Sequence, residues 1–247
     1  MGWAPDCRLV GMCGRYNVVS DAAALRAAYS MLEILEDEIG EELTANYNCA
    51  PTDSLPIIRH RPGRDAAVLE SAHWGLVPFW ARDRKSAARM INARAESLGE
   101  RRAFRDSAER RRCLVPATGW YEWRKEGSVR QPCVFESRGV MTFAGLWAWN
   151  SSLRLVSYTI VTVAANSVVE PWHDRMPAML GEHELTGWLD PDATLADVMP
   201  LLKPYEGNDL SARRVSRRVG DVRQNDAGLL REDGDEDGRA RPQMLPL

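Results

Sequence analysis

The chain has 247 residues, of which 45% are hydrophobic and 27% charged, and its formal net charge is −3. This composition excludes collagenous, disordered and disulfide-scaffold classes and leaves enough chain for a real hydrophobic core. No apolar run reaches the roughly 18–20 residues that span a bilayer, and the first residues lack a signal-type apolar stretch, so a cytoplasmic protein away from membranes is expected.

In chain order, Ser20 and Asp21 read as the cap of a helix over 21–39, with Leu25, Ala28, Leu32 and Leu35 at helical spacing. Residues 45–54 (ANYNCAPTDS) read as a loop rich in turn formers. Strands are predicted over 55–60 and 66–74 around the turn RPGRD, and a helix over the Arg-rich stretch 99–111. Five short apolar runs follow at 113–117, 119–124, 132–137, 140–148 and 153–163, each bounded by Gly, Pro or Ser, and each predicts a strand. Short helices are expected over 182–190 and 194–202. From about residue 226 the apolar content falls, which predicts a disordered acidic tail over 227–247. Strands in succession with few helices between them predict an α+β domain over 12–226. Its sheet should be mainly antiparallel and curled toward a barrel with flanking helices, not doubly wound and parallel. There is no internal repeat, no G-x-G-x-x-G, no Walker A and no G-x-S-x-G.

Charge is unevenly spread. Residues 82–112 carry eleven Lys/Arg against five acids, and residues 226–247 carry six acids against three Arg. The basic segment could track a phosphate backbone, or it could be an ion-paired, solvated helix face. The five cysteines, at 7, 13, 49, 113 and 133, follow no disulfide framework and no zinc spacing, so reduced thiols and no metal are expected.

Four polar residues stand out by their surroundings: Cys13 in MCGRYN, Asn92 in INARAES, Glu122 in GWYEW and His173 in EPWHDRMP. A carboxyl desolvated between aromatic rings has a raised pKa and suits general acid–base work. Strand alternation offers the opposite placement, with Glu122 in solvent and Tyr121 and Trp123 in the core. Taken singly, His173 could be structural, Asn92 a cap or turn residue, and Cys13 a small buried hydrophobe. Cys13 also follows Met12, a possible initiator. A cysteine at the N-terminus is a 1,2-aminothiol, whose amine can form an imine with an aldehyde and whose thiolate can close on that imine to a thiazolidine. An internal cysteine cannot do this, because its nitrogen is an amide.

Taken together and in order, several segments resemble the SRAP (SOS response-associated peptidase) family. They are MCGRY (12–16), NCAPT (48–52), WGLVPFWA (74–81), NARAES (92–97), CLVPATGWYEW (113–123), FAGLW (143–147), TIVTVAAN (159–166), HDRMP (173–177) and the closing VSRRVGDVRQND (215–226). The resemblance implies a monomeric protein that binds single-stranded DNA and crosslinks to abasic sites through an N-terminal cysteine, without metal or organic cofactor. Carried over residue by residue, it makes Cys13 the nucleophile. Asn92 holds the cysteine and the sugar, Glu122 shuttles protons, and His173 assists ring opening. Arg15, Arg94 and Arg175 contact phosphates, while Pro51, Trp80 and Trp123 wedge or stack where the base is missing. Two departures are present. Residues 1–11 precede Met12, so that either Met12 is the true start or the extension is a propeptide removed by self-cleavage. Gly220 stands where a polar residue such as Asn is expected. Two other readings use the same residues: a cysteine peptidase built on Cys13 and His173, and a single-strand binder without chemistry, indifferent to Glu122.

Overall fold

The long apolar runs form the frame. The computed structural model describes residues 14–35, 43–61 and 66–232. Its strands, in order, are β1 (Tyr16–Val18), β2 (Ile34–Leu35), β3 (Asn46–Cys49), β4 (Ser54–His60), β5 (Ala67–Trp74), β6 (Asn92–Arg94), β7 (Arg112–Ala117), β8 (Gly119–Glu126), β9 (Val129–Glu136), β10 (Met141–Asn150), β11 (Leu155–Ala164), β12 (Arg175–Pro177) and β13 (Ser211–Arg214). The helices are α1 (Ala22–Ala28), α2 (Arg102–Arg110), α3 (Leu185–Leu189) and α4 (Leu195–Val198), joined by several 3-10 turns.

Five strands close on themselves. β4 pairs with β5 and β7, β7 with β10, and β10 with β11, all antiparallel; β11 returns to β5 in parallel at Ser157–His73 and Tyr158–Trp74. The expected α+β domain with a barrel-like, mainly antiparallel sheet is therefore present. β10 reads as a continuous apolar run because both of its faces are covered. A second, antiparallel sheet has the order β13-β9-β8-β1-β3 and packs against the barrel. Between them runs a column of fully buried rings. Tyr16 meets Trp74 edge-on at 5.0 Å, and Trp120 stacks on Phe135 at 4.9 Å and meets Phe143 at 5.9 Å.

Several sequence expectations are corrected. Asp21 caps α1 as predicted, accepting the Ala24 N–H at 2.7 Å, but the helix stops at Ala28 rather than running to 39. Tyr29 is buried there with its hydroxyl on Thr142, and the chain turns to lay Ile34–Leu35 parallel to β5. Residues 36–39 and most of the RPGRD turn lie outside the described residues. The predicted loop 45–54 contains β3, paired with β1. The chain also stays ordered past 226: Ala227–Leu230 forms a 3-10 turn whose Leu229 is buried with Tyr121, Val134, Val215 and Val219. Residues 233–247 of the expected tail lie outside the described residues.

Gly75, in the WGLVPFWA segment, has φ +121°, and a Cβ on it would lie 2.5 Å from the Ala87 carbonyl oxygen. Gly75→Ala combines backbone strain with a backbone clash and is expected to cost at least about 2 kcal/mol in urea unfolding. An unchanged midpoint would show that this turn does not need glycine.

Candidate functional site

Alternation along β8 separates two faces. Trp120 joins the main core, whereas Tyr121 packs into the small cluster on the other side with Trp123 beside it. Glu122 lies on the Trp120 face and is 6% exposed, opposite Cys133 in the register with β9. The solvent-facing alternative for Glu122 is therefore excluded. Its burial comes from its own face, not from Tyr121 and Trp123, which point away. β1 runs antiparallel to β8 with Tyr16 opposite Trp120, and the Tyr121 N–H donates to the Arg15 carbonyl at 3.0 Å. Continuing that register sets buried Gly14 opposite Glu122. Cys13 lies outside the described residues, one peptide bond from Gly14.

The facing wall belongs to β11. Its Ile160 pairs with Asn92 and its Thr162 with Arg94, both on β6, while its Ala164 pairs with Arg175 on β12. Register partners share a face, so Asn92, Arg94 and Arg175 project on the side from which Tyr158 reaches Tyr16. The two tyrosine hydroxyls meet at 2.6 Å and tie the walls together at one end. At the other end Trp172 makes an edge contact with Phe135 at 6.3 Å and lies under the Arg124 guanidinium at 4.8 Å. Asn166 shapes the turn that carries Trp172, accepting the N–H groups of Val168 and Val169 and donating to the Tyr205 carbonyl. His173 follows Trp172. Glu122 thus lies on one wall, Asn92 on the strand paired with the facing one, and His173 next to Trp172, which packs on Phe135 of the first wall.

Partners set chemical state here. His173 Nδ1 accepts the Arg175 backbone N–H at 2.9 Å, so the neutral ring carries its proton on Nε2. Asp174 Oδ1, 3.0 Å from the same Nδ1, becomes a hydrogen-bond partner when Nδ1 carries a proton. Arg175 is buried and grips Glu96 with both terminal nitrogens, at 2.7 and 2.8 Å, and donates to the Thr162 carbonyl at 2.6 Å. Glu96, in the NARAES segment, is a partner of Arg175 that the sequence reading missed. Arg94, by contrast, is exposed.

Two further expected contacts are held out by the fold. Buried Asn150 donates to the carbonyls of Pro78 and Ala81, each at 2.9 Å, so the loop between them is clamped at both ends. Phe79 and Trp80 consequently protrude, at 62% and 46% exposure, with Arg102 5.5 Å over the Trp80 ring. Ala50-Pro51-Thr52-Asp53 is a tight turn closed by the Asp53 N–H on the Ala50 carbonyl. Pro51 takes the position that favours proline, and Thr52 has φ +79° where glycine is usual. Of the eleven cations in 82–112, Arg82, Arg84, Lys85, Arg89, Arg94, Arg101, Arg102, Arg105 and Arg110 are exposed. Arg112 is not part of that surface: it is buried, donating to the carbonyls of Trp188, Ala108, Glu109, Asp190 and Ala193. Arg15 is also engaged. Its guanidinium donates to Asn48 Oδ1 and to the Val219 and Gly220 carbonyls, and burial lowers its pKa.

A model of the SRAP (SOS response associated peptidase) family matches residues 12–222. The chain belongs to the SRAP family. Abasic site processing protein YoqW of Bacillus subtilis (strain 168) is 33% identical over 226 residues, covering 89% of this chain and 99% of that protein. Abasic site processing protein HMCES of Xenopus tropicalis is 28% identical over 224 residues, covering 76% of this chain and 66% of that protein. A crystal structure of a protein from Bacteroides thetaiotaomicron matches with a TM-score of 0.77 at 25% identity, covering 89% of this chain and 99% of that one.

The Arg175 hydrogen bonds are the main reason the Glu96 carboxyl is held below its ordinary pKa. A depressed folded-state pKa means the unfolded chain binds more protons as the pH falls. The contribution is therefore complete above the ordinary carboxylate range, near 4.5, and is lost as the pH drops through the folded-state value. Glu96 is largely exposed, so the effect is small, under about 1 kcal/mol. Urea unfolding over a series of pH values should show Glu96→Gln less stable than wild type at pH 7, with the gap narrowing as the pH falls below about 4.5. A gap that does not narrow at all as the pH falls would remove the ion pair as the cause.

Proposed function

We propose that this SRAP protein recognises abasic sites in single-stranded DNA and captures them covalently through Cys13, acting as a chain whose N-terminus is that cysteine. One feature supports the reading: the strand that follows Cys13 runs along Glu122, with Asn92 on the strand paired to the facing wall and His173 next to Trp172, which packs on Phe135. The names of the relatives agree with the substrate. The reading requires that residues 1–12 be absent from the acting protein, whether translation starts at Met12 or the extension is cleaved.

The chemistry follows from the aminothiol. The neutral α-amine adds to the aldehyde of the ring-opened deoxyribose to give a carbinolamine, and loss of water gives the imine. The thiolate then adds to the imine carbon, and the nitrogen takes up a proton, closing the thiazolidine. The net change is loss of one water. His173, with its proton on Nε2, can donate to the sugar ring oxygen as the aldehyde is released. Glu122 protonates the departing hydroxyl and relays protons between nitrogen and sulfur. The Asn92 amide orients the sugar and the amine. Arg94 and the exposed cations around it meet phosphates, and Phe79, Trp80 and Pro51 offer surfaces for unstacked bases. Arg175 meets a phosphate only by exchanging its Glu96 carboxylate for it.

Protein beginning at Cys13, mixed with single-stranded DNA bearing one abasic site, should give a band that survives SDS and heat, and undamaged strands should give none. Protein shown by mass to retain residues 1–12 should not crosslink, nor should Cys13→Ala. A band from either would exclude the free aminothiol as the reacting group.

Glu122→Gln should slow single-turnover crosslinking by roughly tenfold or more at saturating protein, with binding intact. Arg94→Ala should instead weaken binding and reduce the salt slope by about one unit. Identical effects of the two substitutions on affinity would mean the roles are assigned wrongly.

A further inference from the structure

The closing segment, residues 217–225, does more than end the domain. Buried Asn48 lies at the centre of its attachment. Its Oδ1 accepts from Arg15, and its Nδ2 donates to the carbonyls of Asp221 at 3.0 Å and Gln224 at 2.8 Å. Next to it, the Tyr47 N–H donates to Asn225 Oδ1 at 2.7 Å, and the Tyr47 carbonyl accepts from the Tyr121 hydroxyl at 2.7 Å. Arg15 completes the fastening by donating to the carbonyl of Val219 at 2.8 Å and, more weakly, to that of Gly220 at 3.4 Å. The segment is braced internally, with the Arg218 guanidinium on both Gln224 and Asp226 at 2.6 Å. Beneath it Val219 and Leu229 bury themselves against Tyr121.

Arg15 is therefore gripped twice. Its main-chain carbonyl is bonded to β8 beside Glu122, and its side chain is bonded to the strap. Three hydrogen bonds on a planar guanidinium fix direction as well as distance. Arg15 also stands two residues from Cys13. We propose that Arg15, Asn48 and residues 217–225 form a latch that positions the chain leading out of Cys13, and that Arg15 is a positioning residue rather than a phosphate contact. The proposal rests on the covalent-capture reading for its kinetic consequence, but not for its structural one. It also accounts for the departure at Gly220. The latch uses the carbonyl of that residue, and a Cβ there would meet nothing within 4 Å, so the side chain is immaterial.

The test compares Arg15→Ala, Arg15→Lys, Asn48→Ala and the Arg15→Ala/Asn48→Ala double variant in protein that begins at Cys13. Each single variant should slow crosslinking at saturating protein by about tenfold to a hundredfold, the range expected when a reacting group is misplaced by about an ångström. Affinity for undamaged single-stranded DNA and its salt slope should stay within twofold of wild type. Arg15→Lys keeps the charge and loses the fork, so it should fail like Arg15→Ala. The double variant should be no slower than the slower single.

Hydrogen exchange supplies the structural readout. Amides of residues 15–18 and of 217–225 should quicken together in every variant. Independent exchange of the two segments would overturn the latch. So would a salt slope lowered by about one unit in Arg15→Ala alone, multiplicative effects in the double variant, or rescue by lysine. If Asn48→Ala fails to fold, Asn48→Asp replaces it, keeping an acceptor for Arg15 and losing both donors to the strap. Should the wild type itself form no crosslink, the capture reading fails, and the exchange data alone decide the latch.

Discussion

Two phenols, each fully buried, meet between the sheets. Tyr16 and Tyr158 satisfy one another, one hydroxyl donating and the other accepting, in a place where neither has access to water. Burial pushes both far above the ordinary tyrosine pKa, so both stay neutral and the bond persists. With Trp74 against both rings, the contact fixes β1 on β11. Everything at the site is counted from there. Two residues back from Tyr16 comes Gly14, beside Glu122. Two residues on from Tyr158 comes Ile160, in register with Asn92. The spacing of the candidate site is thus an outcome of strand geometry and one hydrogen bond, with no loop involved until Trp172 and His173.

The arginines fall into two populations that a charge count merges. Arg15, Arg112 and Arg175 are taken up by carbonyls, an amide or a carboxylate, and Arg59 is buried against Glu70 and the Trp147 ring. These hold segments far apart in sequence, as a buried guanidinium with several donors can. The second population, the arginines of 82–110, is exposed and includes Arg102 over the Trp80 ring. Together with exposed arginines elsewhere, such as Arg130, Arg138 and Arg217, it contributes to the outward field that a polyanion would meet.

Much of the fold was legible because the long strands carry sustained β-branched and aromatic runs. β3, β6, β12 and β13 were not, since three or four residues carry no periodicity and these strands exist only because a neighbour supplies their hydrogen bonds. The pattern Leu25, Ala28, Leu32, Leu35 overstated α1 because apolar residues on either side of a bend mimic one helical face. For Glu122 the sequence left two placements open. Both faces of β8 are covered, so alternation could not tell which side was solvent. The Arg175–Glu96 and Arg15–Asn48 pairs, 79 and 33 residues apart, were out of reach of any local pattern.

The fastening of Arg15 to Val219 spans 204 residues. A polypeptide emerges from the ribosome N-terminus first, at about 5–20 residues per second. The cysteine end of this domain therefore exists for on the order of ten seconds or more before its anchor has been made. During synthesis the strand that carries Arg15 has nothing to be fastened to. Vectorial synthesis thus makes β1 one of the first parts of the domain to be born and one of the last to be set in place.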